Sequence, residues 1–501
     1  MLTQQVELEL WQQEQKQLQQ LQQRWLLGDG GAELQLPTSW QSYFPAGQTN
    51  DDKALQALAF CSQYPLFSKV QQPDGLKTLP AVPLLSLPTL ATALRPAFRT
   101  LLADIRQQPQ ALHALLSLLA HRGFVPHPLD WLPKTSDLLL PEILGPWWFF
   151  AAGYATTPQL TTEDWSSTAP LVRIVLLAKL RQTAPEQARQ LLSDCVPQCP
   201  AEQRAAFLQL LQINLSEADL PTLQHFANDK SDKVRTVCRN FLLQLGHAVT
   251  PSALVDELKD WLQKQRSGWL LRDKKIVAPE LKNRVQMNNL CQALSKVALP
   301  ELAAALELPL DELLLQWSFT DNQGTDPTSE FLTPNQALLQ NAAQTLPQPQ
   351  LKLLLNKFVK ELLPDQLLDR VQLEIIAALM KRLPEAEQTE LMQQLIASCA
   401  AENPIANLAA LHSEHWHWLA KEDFVKLPLQ QQLNSALAQL NKTTKPGQGI
   451  SQLLFWLGLL VPQTTAAAIY QQAIAAGISA TDPILETLSF NLSLQKGNHD
   501  E

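Results

Sequence analysis

The stretch from Leu220 to Gly246, LPTLQHFANDKSDKVRTVCRNFLLQLG, restricts the fold most, because it carries two apolar stripes of helical period around a short polar turn. Leu220, Leu223 and Phe226 fall on one side of a first helix. Val234, Val237, Cys238, Phe241, Leu242 and Leu245 recur at spacings of three and four along a second. Asp229-Lys230-Ser231-Asp232 turns the chain, with Ser231 or Asp232 able to cap the second helix and Gly246 placed to end it. Such a hairpin cannot bury its apolar faces alone, so it must stack on neighbours.

Segments of the same kind precede it. Helices are expected at about 168–182, 185–195, 200–213, 217–228 and 231–245, with links so short that consecutive helices run antiparallel. Composition agrees: the chain is rich in Leu, Ala and Gln, and its 16 Gly are too few to punctuate many β-hairpins. Its 35 Pro often stand where helices begin, as in Ala184-Pro185-Glu186, Cys199-Pro200-Ala201 and Leu383-Pro384-Glu385. The expected class is all-α: stacked helical hairpins, with an α-solenoid in the middle and further helical regions at both ends. Four regions follow: an N-terminal helical region (1–166), the repeat region (167–317), a polar linker or irregular segment (318–350) and a C-terminal helical region (351–501). The first region opens on a Gln-rich helix, 4–27, with Trp11, Leu18, Leu21 and Trp25 on one stripe. Later helices are expected at 136–155, 251–266 and 404–419, among others.

Asp229 in the turn, with Val234 and Arg235 opening the next helix, resembles the HEAT repeat. In HEAT arrays the Asp and Arg of successive repeats pair along the stack while the Val packs inward; such burial is worth about 1.5–3 kcal/mol. Neighbouring hairpins lack a comparable Asp and Val-Arg set, so no extended ladder is expected. A wider series runs through Leu171-Val172-Arg173, Leu180-Arg181, Pro185, Ala188-Arg189-Gln190-Leu191-Leu192 and Glu202-Gln203-Arg204. Together with the hairpin, it resembles an uncharacterised bacterial family of HEAT-like helical proteins. The resemblance implies genomic neighbours of the MoxR-type AAA+ ATPase, von Willebrand factor A domain and SWIM zinc-finger classes. It implies no chemistry.

Motifs for catalysis are missing from the sequence. There is no Gly-x-x-x-x-Gly-Lys-Ser/Thr or Gly-x-Gly-x-x-Gly to cradle phosphate and no Gly-x-Ser-x-Gly elbow, and the carboxylates are too scattered to nominate an acid/base pair. In HSEHWHW, His412 and His415 share a helix face, but His417 lies about 140° from His412. Three ligands therefore do not converge, and Trp416 and Trp418 read as core anchors. Cys195 and Cys199 read as buried residues at a helix end, since no second ligand pair follows at zinc-ribbon spacing. A non-enzyme with no cofactor is the expectation.

Six cysteines in a chain of 501 residues form no disulfide framework, and the Gln- and Glu-rich start resembles no signal peptide, so a cytoplasmic location is expected. The most apolar windows, Pro146–Tyr154 and Leu453–Val461, are too short to span a bilayer, so no membrane insertion is expected. Charge supplies the remaining signal. Between Lys230 and Arg284 twelve basic residues face six acidic ones, in a chain of net charge −9. Lys230, Lys233, Arg239, Trp269, Arg272, Lys274 and Lys275 are the candidate partner-binding residues. Three readings stand: a solvated repeat face, a site for an acidic protein surface, or a grip on nucleic acid. The expected role is a scaffold or adaptor for a protein partner, a MoxR-type ATPase by the resemblance. Nucleic-acid binding and an enzyme with an unrecognised site are the alternatives.

Overall fold

The computed structural model describes residues 13, 16–27, 36, 38–67, 81–247, 254–267, 273–278, 284–322, 332–362, 370–398, 405–411, 416–440 and 448–494. The chain divides into two compact units, Met1–Pro80 and Ala81–Glu501. In the first, residues 16–26 are helical (α1) and a second helix, α2, spans Asn50–Phe67. Thr49 caps α2: its hydroxyl accepts from the Asp52 amide at 3.2 Å and donates to the Asp52 carboxylate at 2.6 Å. Leu18, Leu21, Trp40 and Cys61 form the core, with Trp40 edge-on to Phe60. Trp25, expected on the same stripe as Leu18, is 45% exposed.

The second unit opens with α3 (Arg95–Ile105), α4 (Pro109–His121) and a short α5 (Gly145–Ala151). Five helices follow: α6 (Pro170–Thr183), α7 (Pro185–Cys195), α8 (Ala201–Gln209), α9 (Leu220–Phe226) and α10 (Asp232–Gln244). These lie where the apolar periodicity puts them. Gly246 closes α10 at φ +82°, which lets the His247 amide reach back to the Leu242 carbonyl at 2.9 Å. After α11 (Val255–Trp261) come strands β1 (Gln263–Ser267) and β2 (Asp273–Val277), an antiparallel pair with Gln263 opposite Val277. The chain is mostly helical, consistent with the all-α expectation; this two-stranded hairpin corrects the helix expected to run to 266. Ile276 and Val277, β-branched and buried, suit a pleated surface, and Asn322 pins the hairpin by bonding the Ile276 carbonyl and the Ala278 amide.

Helices then resume as α12 (Arg284–Lys296), α13 (Leu299–Ala305), α14 (Leu310–Gln316), α15 (Pro334–Thr345), α16 (Gln348–Leu362), α17 (Arg370–Met380), α18 (Glu385–Ser398) and α19 (Ile405–Leu411). The last are α20 (Lys421–Phe424), α21 (Pro428–Leu440), α22 (Gln448–Leu460), α23 (Gln463–Ala475) and α24 (Glu486–Ser493). Neighbour order is regular. The helices α6, α8, α10, α15, α17, α19, α22 and α24 pack each on the next, and α14, α16, α18 and α21 do the same beside them.

Two expected boundaries fail on packing. Residues 81–151 belong with the helices after them: α4 packs on α22, α3 on α24, Phe98 meets Phe490 and the Arg122 guanidinium donates to Asn491. Within α5, Trp147 joins the core of α3 and α4, while Trp148 joins that of α6 to α10. The polar segment 318–350 holds α15, most of whose residues are buried. Several of its polar side chains are hydrogen-bonded inside: Asn335 takes the Trp317 indole N–H and donates to the Phe319 carbonyl.

One device recurs where helices stop. Asn341 donates to the Leu294 and Val297 carbonyls at the end of α12, and Asn491 to those of Gly458 and Val461 at the end of α22. Arg382 serves Ala342, Ala343 and Leu346 at the end of α15, and burial holds its guanidinium down to about 10. Arg181, wholly buried, donates to the Leu211, Ile213 and Asn214 carbonyls beyond α8 and grips Asp219 through two bonds of 2.8 and 2.9 Å.

Removing Arg181 leaves three carbonyls without their donor and buried Asp219 with only the more distant Arg189 at 3.3 Å as a charge partner, so Arg181→Met is expected to destabilise the fold by about 3–5 kcal/mol in chemical denaturation. At Gly458 an added Cβ would lie 2.3 Å from Thr487 Oγ1 and 2.7 Å from the Leu488 nitrogen, so only glycine lets α22 and α24 approach this closely. Gly458→Ala is expected to cost about 1–3 kcal/mol. Gly449→Ala, on the same helix with open space around it, is the control and is expected to hold or raise the melting temperature.

Candidate functional site

Three arginines hold one position in successive helices of the first row. Arg173, Arg204 and Arg235 are each the fourth residue of α6, α8 and α10, and each donates to the carbonyl five residues back: Thr168 at 2.8 Å, Cys199 at 2.7 Å and Lys230 at 3.1 Å. Arg204 also holds Asp229 through two bonds of 2.7 and 2.9 Å, which joins α8 to the turn before α10. Asp229 accepts the Ser231 amide at 2.8 Å as well. The Arg204 guanidinium keeps the Asp229 carboxyl below its ordinary value. Val234 is fully buried in α10. Arg235 bonds the Asp229 and Lys230 carbonyls and the Asp232 side chain. These residues tie one helix pair to the next. With Arg181–Asp219, the pairing runs further than the single matching hairpin implies.

The basic candidates do not gather. Lys230 stands exposed at the turn. Lys233 meets Glu202 of α8 at 2.5 Å, while Arg239 turns away to Glu301 of α13 at 3.4 Å. Lys274 and Lys275 on β2 face Glu312 at 3.9 Å and Asp321 at 3.1 Å. Trp269 and Arg272 lie outside the described residues. Lys233 lines one cleft and Lys274 and Lys275 another, Arg239 lines neither, and each of these four faces a carboxylate. Exposed pairs of this kind are worth about 0–1 kcal/mol each, but they cancel the local field.

The first cleft, about 640 Å³, runs across α8, α10 and α15 and is lined by Gln209, Gln212, Lys233, Asn240, Gln244 and Gln344, among others. The second, about 660 Å³, lies between β2, α14 and α16. There Lys357, which the sequence did not single out, donates to the Leu315 carbonyl and pairs with Glu361 at 3.3 Å; burial pulls its ammonium below the usual lysine value. A third, about 820 Å³, opens beside Leu84, Leu138, Trp148 and Lys179, with Leu84 98% exposed. The carboxamides and leucines were missed because neither matches a chemical motif. Spacing carries the one available signal: Glu202 and Lys233, which pair, are 31 residues apart, as are Arg204 and Arg235.

Of the histidine cluster, His412, Glu414 and His415 lie outside the described residues. His417 stacks on His121 with ring centroids 5.4 Å apart, and Trp416 is fully buried against Trp418. Cys195 and Cys199 are buried at the end of α7. Among the described residues no group of three or more His, Cys, Asp or Glu is placed to hold a metal, and no helix is long and apolar enough to cross a membrane.

The Asp229 pair makes stability depend on acid. Because its folded pKa lies below the ordinary 3.8, its stabilisation is complete above that value and is lost as pH falls through the folded one. In thermal melts the wild-type advantage over Asp229→Asn is expected to be full near pH 7 and to shrink below about pH 4. An advantage constant down to pH 2 would contradict the pairing.

No curated protein matches the chain, and no solved structure does. The model of a family of unknown function, DUF5691, matches residues 144–490, which takes in α6 to α23 and both of the clefts that carry the basic candidates. The chain belongs to the DUF5691 family.

Proposed function

We propose that the unit Ala81–Glu501 is an interaction scaffold, an α-solenoid of the HEAT kind that presents the edges of its helix row to a protein partner. The row α6, α8, α10, α15, α17 carries this reading: each helix packs on the next and one arginine position repeats along its first three members. Stacks of this sort expose long faces built from short units, which suits binding of another macromolecule. A protein partner is favoured over nucleic acid by the pairing of Lys233, Arg239, Lys274 and Lys275 with carboxylates. Phosphate binding draws on free positive charge, and these four offer little. A MoxR-type ATPase is the first partner to test, and the scaffold acts without chemistry of its own.

The immobilised full chain is expected to retain one protein from native lysate at near-stoichiometric yield, and to bind a purified MoxR-type ATPase, at moderate salt. Elution of the chain alone, or retention of nucleic acid with a steep salt dependence, would sink the proposal.

A further inference from the structure

The cleft across α8, α10 and α15 is walled by carboxamides that already form a chain. Gln212 donates to Gln244 Oε1 at 3.1 Å, Gln244 donates to the Gln344 carbonyl at 2.7 Å, and Asn240 donates to Gln344 Oε1 at 3.2 Å. These bonds fix the side chains of three helices in one line. They leave Asn240 Oδ1 as an acceptor and Gln344 Nε2 as a donor, and whichever way the amides are turned one of each remains. Gln209 adds another carboxamide at the same wall. The charges at the rim are neutralised, Lys233 by Glu202 and Asp232 by Arg235. An ionic ligand gains little here, whereas a ligand that alternates uncharged donors and acceptors gains at each step.

We infer that this cleft binds an extended segment of a partner polypeptide through its backbone, with uncharged residues at the centre. A peptide unit offers one N–H and one C=O, which is what Asn240 and Gln344 leave open. Spacing fits as well. Packed helices stand about 8–10 Å apart, so three span about 16–20 Å, the length of five or six extended residues at about 3.3 Å each. Glycans would gain from an exposed aromatic platform, but the cleft's aromatic ring, Phe241, is buried. The inference rests on the scaffold reading and specifies the face and the chemistry of its partner.

The probe is a phage-displayed library of random dodecapeptides panned on the full chain, with the best binder synthesised and titrated. Expected are binders with uncharged centres whose affinity falls roughly 10–30-fold for Asn240→Ala/Gln344→Ala, from the loss of two neutral hydrogen bonds. A comparable fall is expected when the central peptide amides are N-methylated, and no change for Lys233→Ala. An unchanged melting temperature confirms that the double variant is folded. Should it instead unfold, Gln344→Ala alone, at an exposed position, decides. Binders that keep their affinity for the folded variant, or that tolerate N-methylation, overturn the inference, and so does a library that yields no binder. If the protein retained from lysate stays on the double variant, the cleft assignment falls and the scaffold stands. If nothing is retained from lysate while the peptides behave as expected, the scaffold falls and the cleft remains a peptide site.

Discussion

A short helix that ends inside a protein leaves its last carbonyls without partners, and an array of short helices meets this problem at every step. Each unmet carbonyl costs about 1–3 kcal/mol, enough over several helices to exceed the net stability of a domain. Here the donors come from another helix of the stack, or from the turn that ends one. Asn341 serves α12, Arg382 serves α15, Asn491 serves α22, and Arg181 serves the turn after α8. The side chain that completes one helix is thus rooted in another, so no hairpin is finished until its neighbour is in place. Gly458 belongs to the same constraint, because the contact that brings Asn491 to α22 leaves no room for a Cβ.

Charge is handled in the same local fashion. The basic excess of the middle of the chain looks like an electrostatic surface when residues are counted along the sequence. In three dimensions Lys233 and Arg239 leave different sides of α10, about 120° apart, and each meets a carboxylate of another helix. The field a distant ligand would feel is therefore small. On the scaffold reading proposed above, recognition would rest on hydrogen bonds and shape at close range, which makes the neutral carboxamide cleft more informative than the cations near it.

Legibility followed periodicity. The boundaries of α7 and α10 could be read because Leu191, Leu192, Val234, Cys238 and Phe241 repeat every three or four residues and Pro185 and Gly246 mark the ends. Polar residues that work inside the core could not be read. Asn335, Gln336, Asn341 and Thr345 made 318–350 look like a linker, yet they are buried in a core helix and hydrogen-bonded there. The strands were hidden for another reason: Ile276 and Val277 are a two-residue apolar run among lysines, too short for any periodicity. The turn of the α9–α10 hairpin was legible at Asp229, Val234 and Arg235. Arg204 stood out in the sequence but its pairing with Asp229 did not, because the 31-residue spacing to Arg235 says which positions are equivalent and not which side chains meet. Of the candidate site, the sequence supplied Lys233 but not the amides beside it, since glutamine abounds everywhere in this chain.

The seating of α3 and α4 on α22 and α24 bears on how the protein is made. Phe98 meets Phe490, and Arg122 meets Asn491 across 369 positions of chain. A ribosome delivers the early hairpin first, with Leu115, Leu118 and Leu119 in need of cover, and the helices that cover it follow only after hundreds of further residues, Asn491 lying 369 positions beyond Arg122. The nascent chain therefore carries an apolar face through most of its translation, a period in which chaperones have something to hold and aggregation has something to start from. Closure of this core waits on α22 and α24, and a product truncated before α22 would keep that face open.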